Sequence, residues 1–129
     1  LGVGQYVVGF SFTGGALAND QLIGLHRLSA AVIFPANFGD VNAFSSEAGG
    51  TVNATASTVM VVALAPTATP NTFTTIGTIT IGAGSVTPTF ATSGGTAKPG
   101  AKGDVLRVLG PASADASFAN FYASLVAAV

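Results

Sequence analysis

Residues 103–126, GDVLRVLGPASADASFANFYASLV, contain two strand-like runs joined by a short loop, and they decide the fold of the chain. Gly103 takes a positive φ without steric cost and Asp104 bonds its own backbone, so the chain turns there into the first run, residues 105–109. Gly110-Pro111 ends that run, because proline donates no ladder hydrogen bond. A loop of small residues then leads into the second run.

The second run, residues 118–126, alternates between two kinds of side chain. Phe121, Ala123 and Leu125 share one parity, and Asn120, Tyr122 and Ser124 share the other. Because successive side chains of a strand point to opposite faces, one face of this run is dry and the other is partly wet. The pattern predicts half-buried antiparallel sheet.

The rest of the chain supplies further strands. Strand-like runs lie at residues 5–12, 21–28, 31–34, 59–64, 73–81 and 85–92, and Gly or Pro turns separate them. Residues 41–44 form a weaker segment, and residues 45–56 are predicted to be a long surface loop. About eight short strands and no helical stripe predict an all-β fold, an antiparallel β-sandwich of jelly-roll type in one domain over residues 1–129.

Two runs carry extra information about their positions. The stretch 59–64, VMVVAL, is apolar at every position. Such a run is typical of a strand covered on both faces, or covered on its second face by another subunit. Pro88 cannot donate to a ladder, so it places its strand at a sheet edge or a bulge.

Composition excludes several classes of protein. Charged residues make up only 7% of the 129, and with four Lys and Arg and a net charge of -1 the chain has no basic stripe for nucleic acid. Cysteine is absent, so disulfides and thiolate metal sites are excluded. The longest apolar stretch is far shorter than the roughly 20 residues of a membrane span, so we expect no membrane insertion. The first residues lack Met and a basic segment, which is compatible with a processed chain or a piece of a longer polypeptide.

The residues that carry catalysis are scarce. The chain has one histidine, His26, and five carboxylates, and each of the four aspartates lies in turn-like sequence where bonding to local backbone is its usual role. His26 and Arg27 are neighbours on a strand and point to opposite faces. We therefore predict no enzyme activity, no catalytic residues, no cofactor and no metal site.

A resemblance adds to this. Gly103-Asp104-Val105-Leu106 and the Gly-Pro loop after it resemble the C-terminal end of a β-sandwich domain of tailed-phage virion proteins, namely fibre, spike or head-decoration subunits. Residues 34–38 and 77–81 are similar to segments of that domain. The Gly-Asp turn is also similar to turns in trimeric jelly-roll heads of the tumour-necrosis-factor and complement type.

The resemblance implies a function that the low charge supports. It implies a non-enzymatic structural protein at the virion surface, a homotrimeric fibre or spike module that contributes to host attachment. The alternatives are a capsid decoration (cement) protein and a stand-alone carbohydrate-binding module. The implied partners are copies of itself, other virion proteins and host cell-surface glycan. Apolar runs on both strand parities indicate faces that identical copies bury.

The residues predicted to form the interface are large and lie on strands with apolar neighbours. They are Tyr6, Phe10, Arg27, Met60 and Tyr122. Saccharide sites usually draw on aromatic rings with a polar tip, and because Trp is absent only the two tyrosines offer one. The sequence alone therefore shows no dedicated lectin surface.

Overall fold

The computed structural model describes residues 4–129, which fold into two facing β-sheets with no α-helix among them. The strands are β1 (Gln5–Ser11), β2 (Leu22–Arg27), β3 (Val32–Phe34), β4 (Glu47–Gly49), β5 (Thr58–Ala65), β6 (Thr74–Ile81), β7 (Pro88–Thr92), β8 (Lys98–Gly100), β9 (Val105–Leu109) and β10 (Tyr122–Ala128). Single 3-10 turns lie at Ala36–Phe38 and Ser93–Gly95. No helix in the described part of the chain has the length and apolar character needed to cross a membrane.

The strand order is that of a jelly roll. The β10 sheet has the order β1-β10-β3-β8, with β4 also paired to β10, and the β5 sheet has the order β2-β9-β5-β6-β7. Without β4 and β7, the eight remaining strands pair first with last, second with seventh, third with sixth and fourth with fifth, as in one long hairpin rolled into two layers. The predicted antiparallel jelly-roll sandwich is confirmed, with ten strands in place of about eight.

Alternating side chains from both sheets form the core between the layers. The inward residues include Val8, Phe10, Phe34, Leu125 and Ala127 of the β10 sheet and Met60, Val62, Ile79, Leu106 and Val108 of the β5 sheet. Phe118 and Phe121 pack on each other just before β10, with ring centroids 6.1 Å apart. The parity predicted for the last strand is confirmed, because Phe121, Ala123 and Leu125 are buried and Tyr122 is exposed.

The turn that opens the deciding stretch forms as predicted. Gly103 has a φ of 93°, and the Asp104 carboxylate accepts a hydrogen bond from the Ala101 N–H at 2.9 Å. Pro88 begins β7, which is the edge strand of the β5 sheet, so its missing N–H interrupts no inner ladder.

The structure differs from the predictions in four places. Residues 45–56 are not one long loop, because β4 lies within them and pairs with β10. β8 was not predicted, since Lys-Pro-Gly carries no strand signal of its own and forms a strand by pairing with β3. Residues 41–44 close a turn through Val41 and Phe44 and are not a strand. The last strand also begins later than predicted, because Asn120 has a φ of 57° and turns the chain before Tyr122.

Candidate functional site

The outer face of the β5 sheet is apolar along three neighbouring strands. Leu22 of β2 lies opposite Leu109 of β9, and Leu109 lies opposite Val61 of β5, so the three form one continuous row across the sheet. Leu25 and Val59 lie in the neighbouring rows on either side, Leu25 opposite Arg107 and Val59 opposite Thr80. Leu25 is 57% exposed and Leu22 is 48% exposed. We call these five residues the leucine face.

The rest of that outer face is covered by the chain itself. Ala63 and Ala65 follow Val61 along β5 and lie on the same outer face of the sheet, yet both are completely buried. Arg107 lies opposite Ala63 in β9, and its guanidinium lies 4.1 Å from the centre of the Phe73 ring. Part of the apolar run in β5 is therefore covered within one chain, and the leucine face is the part that is not.

The outer face of the β10 sheet carries two hollows. One, of about 430 Å³, is apolar and is lined by Ala31, Val32, Ile33, Pro99, Gly100, Ala128 and Val129. The other, of about 320 Å³, lies at the opposite end of β10 and is lined on its outer side by Gly9, Ser11, Glu47, Tyr122 and Ser124. We call the second one the tyrosine hollow. Its aromatic ring and carboxylate make it the more polar of the two.

His26 is part of a structural hydrogen-bond cluster. The Tyr6 hydroxyl lies 2.7 Å from His26 Nε2, accepts a hydrogen bond from the Ser29 N–H at 2.9 Å and lies 3.0 Å from Ser29 Oγ. The Tyr6 and His26 rings meet edge to face. Because β1 and β2 are edge strands of different sheets, the cluster closes the sandwich on one side. Within residues 4–129, the hydrogen bonds of this cluster include no carboxylate.

Asp115 joins two loops across the top of the sandwich. Its Oδ2 accepts hydrogen bonds from the Thr55 N–H, the Thr55 hydroxyl and the Ala56 N–H at 2.7–2.9 Å. Its Oδ1 accepts from the backbone N–H groups of Ser117 and Phe118. These bonds, the one from the Thr55 hydroxyl first, hold the pKa of the Asp115 carboxyl well below its usual value, because each donor stabilises the ionised form.

We expect Asp115→Asn to lower the melting temperature. An asparagine amide has only one acceptor oxygen, and its NH2 group donates, so the side chain cannot accept hydrogen bonds at both positions as the carboxylate does. The pKa of Asp115 is lower in the folded protein than its ordinary value of 3.8, so the ionised group stabilises the fold above that pH. The stabilisation is lost as the pH falls below 3.8. Melting curves of both proteins should therefore differ most near neutral pH and converge in acid.

Asp20→Asn is the matched control, because Asp20 is exposed and its side chain forms no hydrogen bond to another loop among residues 4–129. Its melting temperature should follow that of the unsubstituted protein at every pH. A constant difference between Asp115→Asn and the unsubstituted protein from neutral pH to pH 2 would contradict the assignment.

The structure separates the residues predicted to form the interface. Phe10 and Met60 are buried between the sheets, so their side chains are not available for contact with another chain. Tyr6 is bonded at the closed edge. Arg27 is exposed on the outer side of β2, beside the leucine face, and Tyr122 is exposed on the outer side of the other sheet. The prediction missed the leucine face itself, although the apolar run 59–64 pointed to it. Alternation in residues 21–28 puts Leu22 and Leu25 on opposite faces, and the β-bulge after Leu22 places both on the outer one.

Among residues 4–129, no group of three or more His, Cys, Asp or Glu side chains is placed to hold a metal ion. Comparison of the chain with protein-family models, with curated proteins and with solved structures found no match. We therefore infer the function of the chain from the surfaces described above.

Proposed function

We propose that this chain is a non-enzymatic structural subunit of a virion, and that it associates with copies of itself through the leucine face. The observation that carries the proposal is the apolar row from β2 to β5, in which Leu22 is exposed and Leu109 and Val61 are half-buried. Apolar side chains on three adjacent strands form a patch of a kind that marks an interaction site. A jelly-roll fold is common to viral capsid and lectin domains, so it is compatible with this role without establishing it.

A second copy of the chain is the partner that fits this surface best. The five residues of the leucine face are uncharged, and the neighbouring Arg107 is stacked on the Phe73 ring. With a net charge of -1, identical chains repel each other weakly. Arg27 lies at its margin, where a polar rim around an apolar centre is usual for an interface. The resemblance to fibre and spike modules implies three copies, arranged around a three-fold axis as closed symmetry requires. The particle surface is the proposed location.

We expect Leu22→Asp to convert the oligomer to a monomer. The substitution places a carboxylate opposite Leu109 in the apolar row, where burying an unpaired charge costs several kcal/mol. Leu22 is 48% exposed in the single chain, so the fold should survive, as a β-rich far-ultraviolet circular dichroism spectrum would show. Sedimentation velocity at micromolar concentration measures the change in mass.

Val7→Asp is the matched control, because Val7 is 48% exposed on the outer side of β1 in the other sheet. It adds the same charge to a similarly exposed apolar position and should leave the oligomer intact. Dissociation by Val7→Asp, with Leu22→Asp unchanged in mass, would contradict the choice of face.

Host attachment and capsid decoration predict different binding partners for the assembled subunit, namely the host cell in the first case and the phage head in the second. We propose attachment, because the β10 sheet keeps an exposed polar hollow on the side opposite the leucine face. Binding of fluorescently labelled protein to intact host cells supports attachment. Binding to purified phage heads but not to cells would favour the decoration role.

A further inference from the structure

We propose that the tyrosine hollow binds a neutral saccharide. This deepens the host-attachment role proposed above, but the hollow and the leucine face lie on different sheets, so each can fail without the other. The hollow combines four features on the outer face of the β10 sheet: an empty space, an aromatic platform, a free acceptor and the absence of positive charge.

Gly9 creates the space. A Cβ built at Gly9 would meet no heavy atom within 4 Å, so the outer face is open at this point of β1. Gly9 lies opposite Ser124 of β10, which lies opposite Glu47 of β4. In the next row, Ser11 lies opposite Tyr122, which lies opposite Gly49. The hollow of about 320 Å³ is at the small end of the range of ligand sites and is suited to one or two sugar rings.

Tyr122 provides a fixed platform. A Cβ at Gly49 would lie 3.3 Å from Tyr122 Cζ and 3.2 Å from its hydroxyl oxygen, so the ring lies directly on the glycine backbone of β4. Tyr122 is nevertheless 51% exposed. A ring held on one side and open on the other presents an apolar face to the C–H groups of a sugar and a polar tip to its hydroxyls.

Glu47 provides the polar contact. Its side chain is exposed, and neither its carboxylate nor the Tyr122 hydroxyl has a hydrogen-bond partner among the described residues. A carboxylate is an acceptor at both oxygens and suits the paired hydroxyl donors of a sugar. The hydroxyls of Ser11 and Ser124 line the same space and can donate or accept.

The charge of the hollow selects against acidic sugars. Among the described residues that line it, Glu47 is the only charged one, and none is Lys or Arg. An anionic ligand such as a sialylated or phosphorylated glycan would place a second negative charge beside this carboxylate. We therefore infer that the ligand is neutral.

The chain has two tyrosines and no tryptophan, so in Tyr6→Phe all tyrosine fluorescence comes from Tyr122. We would titrate this variant with maltohexaose, cellohexaose, mannohexaose and chitohexaose, with 3′-sialyllactose as the acidic comparison. We expect at least one neutral oligosaccharide to change the emission with saturation, and 3′-sialyllactose to leave it unchanged. Isothermal titration calorimetry of the unsubstituted protein repeats the measurement with Tyr6 in place.

Gly9→Val should weaken that binding at least tenfold, because its side chain fills the hollow. Valine is well suited to a strand and its Cβ would meet nothing, so the melting temperature should not fall. Gly82→Val is the control: Gly82 has equally open surroundings but follows β6 in the other sheet, so binding should be unchanged. Glu47→Gln should weaken the binding of the neutral sugar several-fold and should allow 3′-sialyllactose to bind.

Three results would overturn the proposal. They are no response to any neutral oligosaccharide, binding that survives Gly9→Val, and equal affinity for 3′-sialyllactose in the unsubstituted protein. None of them bears on the leucine face, whose test is the mass of the assembly.

Discussion

Phe34→Ala should lower the free energy of unfolding by about 3–5 kcal/mol. Phe34 is completely buried between the sheets, and its ring meets Phe38 edge to face with centroids 5.8 Å apart. Phe38 in turn meets Phe90 of β7. Removing the Phe34 ring leaves a cavity beside Phe38. The expected loss of unfolding free energy is a large share of the roughly 5–15 kcal/mol that stabilises an ordinary domain.

Phe44→Ala is the control. It also removes a phenyl ring, but the Phe44 ring lies in the turn before β4 and is 47% exposed. We expect it to cost less than about 1 kcal/mol, because less area leaves the protein interior. Urea unfolding followed by circular dichroism measures both. Equal losses for the two variants would contradict the core described here.

Gly77→Ala should lower the free energy of unfolding by about 3 kcal/mol, at the upper end of the range for overpacking. Gly77 lies in β6 opposite Thr92 of the edge strand β7. A Cβ there would overlap the backbone oxygen of Ala91 and would lie 2.5 Å from a carbon of the Phe38 ring. The backbone oxygen cannot move away without breaking the pairing of β6 with β7, so the strain remains in the fold.

Gly82→Ala is the control for this prediction. It lies just beyond the end of β6, and a Cβ there would meet no atom within 4 Å. We expect little change, or a gain of about 0.5 kcal/mol from the smaller freedom of the unfolded chain. The outcome that would contradict the predicted contact is an equal cost for both substitutions.

The sequence predicted the strands whose signals are local. Val105–Leu109 is preceded by a Gly-Asp turn and followed by Gly-Pro, and it forms a strand with the predicted bounds. The parity of the residues around Leu125 also predicted correctly which side chains are buried. Such features depend on turn chemistry and on the two-residue period of a strand, which a short window contains.

The sequence could not predict features that exist only by pairing. Glu47–Gly49 and Lys98–Gly100 are three residues each and are poor in strand-forming residues, and they become strands because β10 and β3 offer free edges. The tyrosine hollow has the same origin. Gly9, Glu47 and Tyr122 are far apart in the chain, and only the register of β1, β4 and β10 brings them together.

Two of the residues predicted for the interface, Phe10 and Met60, are buried between the sheets for a related reason. Both have apolar neighbours on both parities, and parity alone does not say which face is inside. The register places Met60 opposite Ile79, inside the sandwich, and leaves Val59 and Val61 on the outside. The predicted second apolar face of this strand exists, and it belongs to those two valines.

The mass of the unsubstituted protein in solution, measured by static light scattering at micromolar concentration, tests the central claim most directly. We predict three times the chain mass of 12.6 kDa, because we propose that neighbouring copies cover the leucine face. A single species of 12.6 kDa across the micromolar range would contradict self-association and with it the proposed structural role.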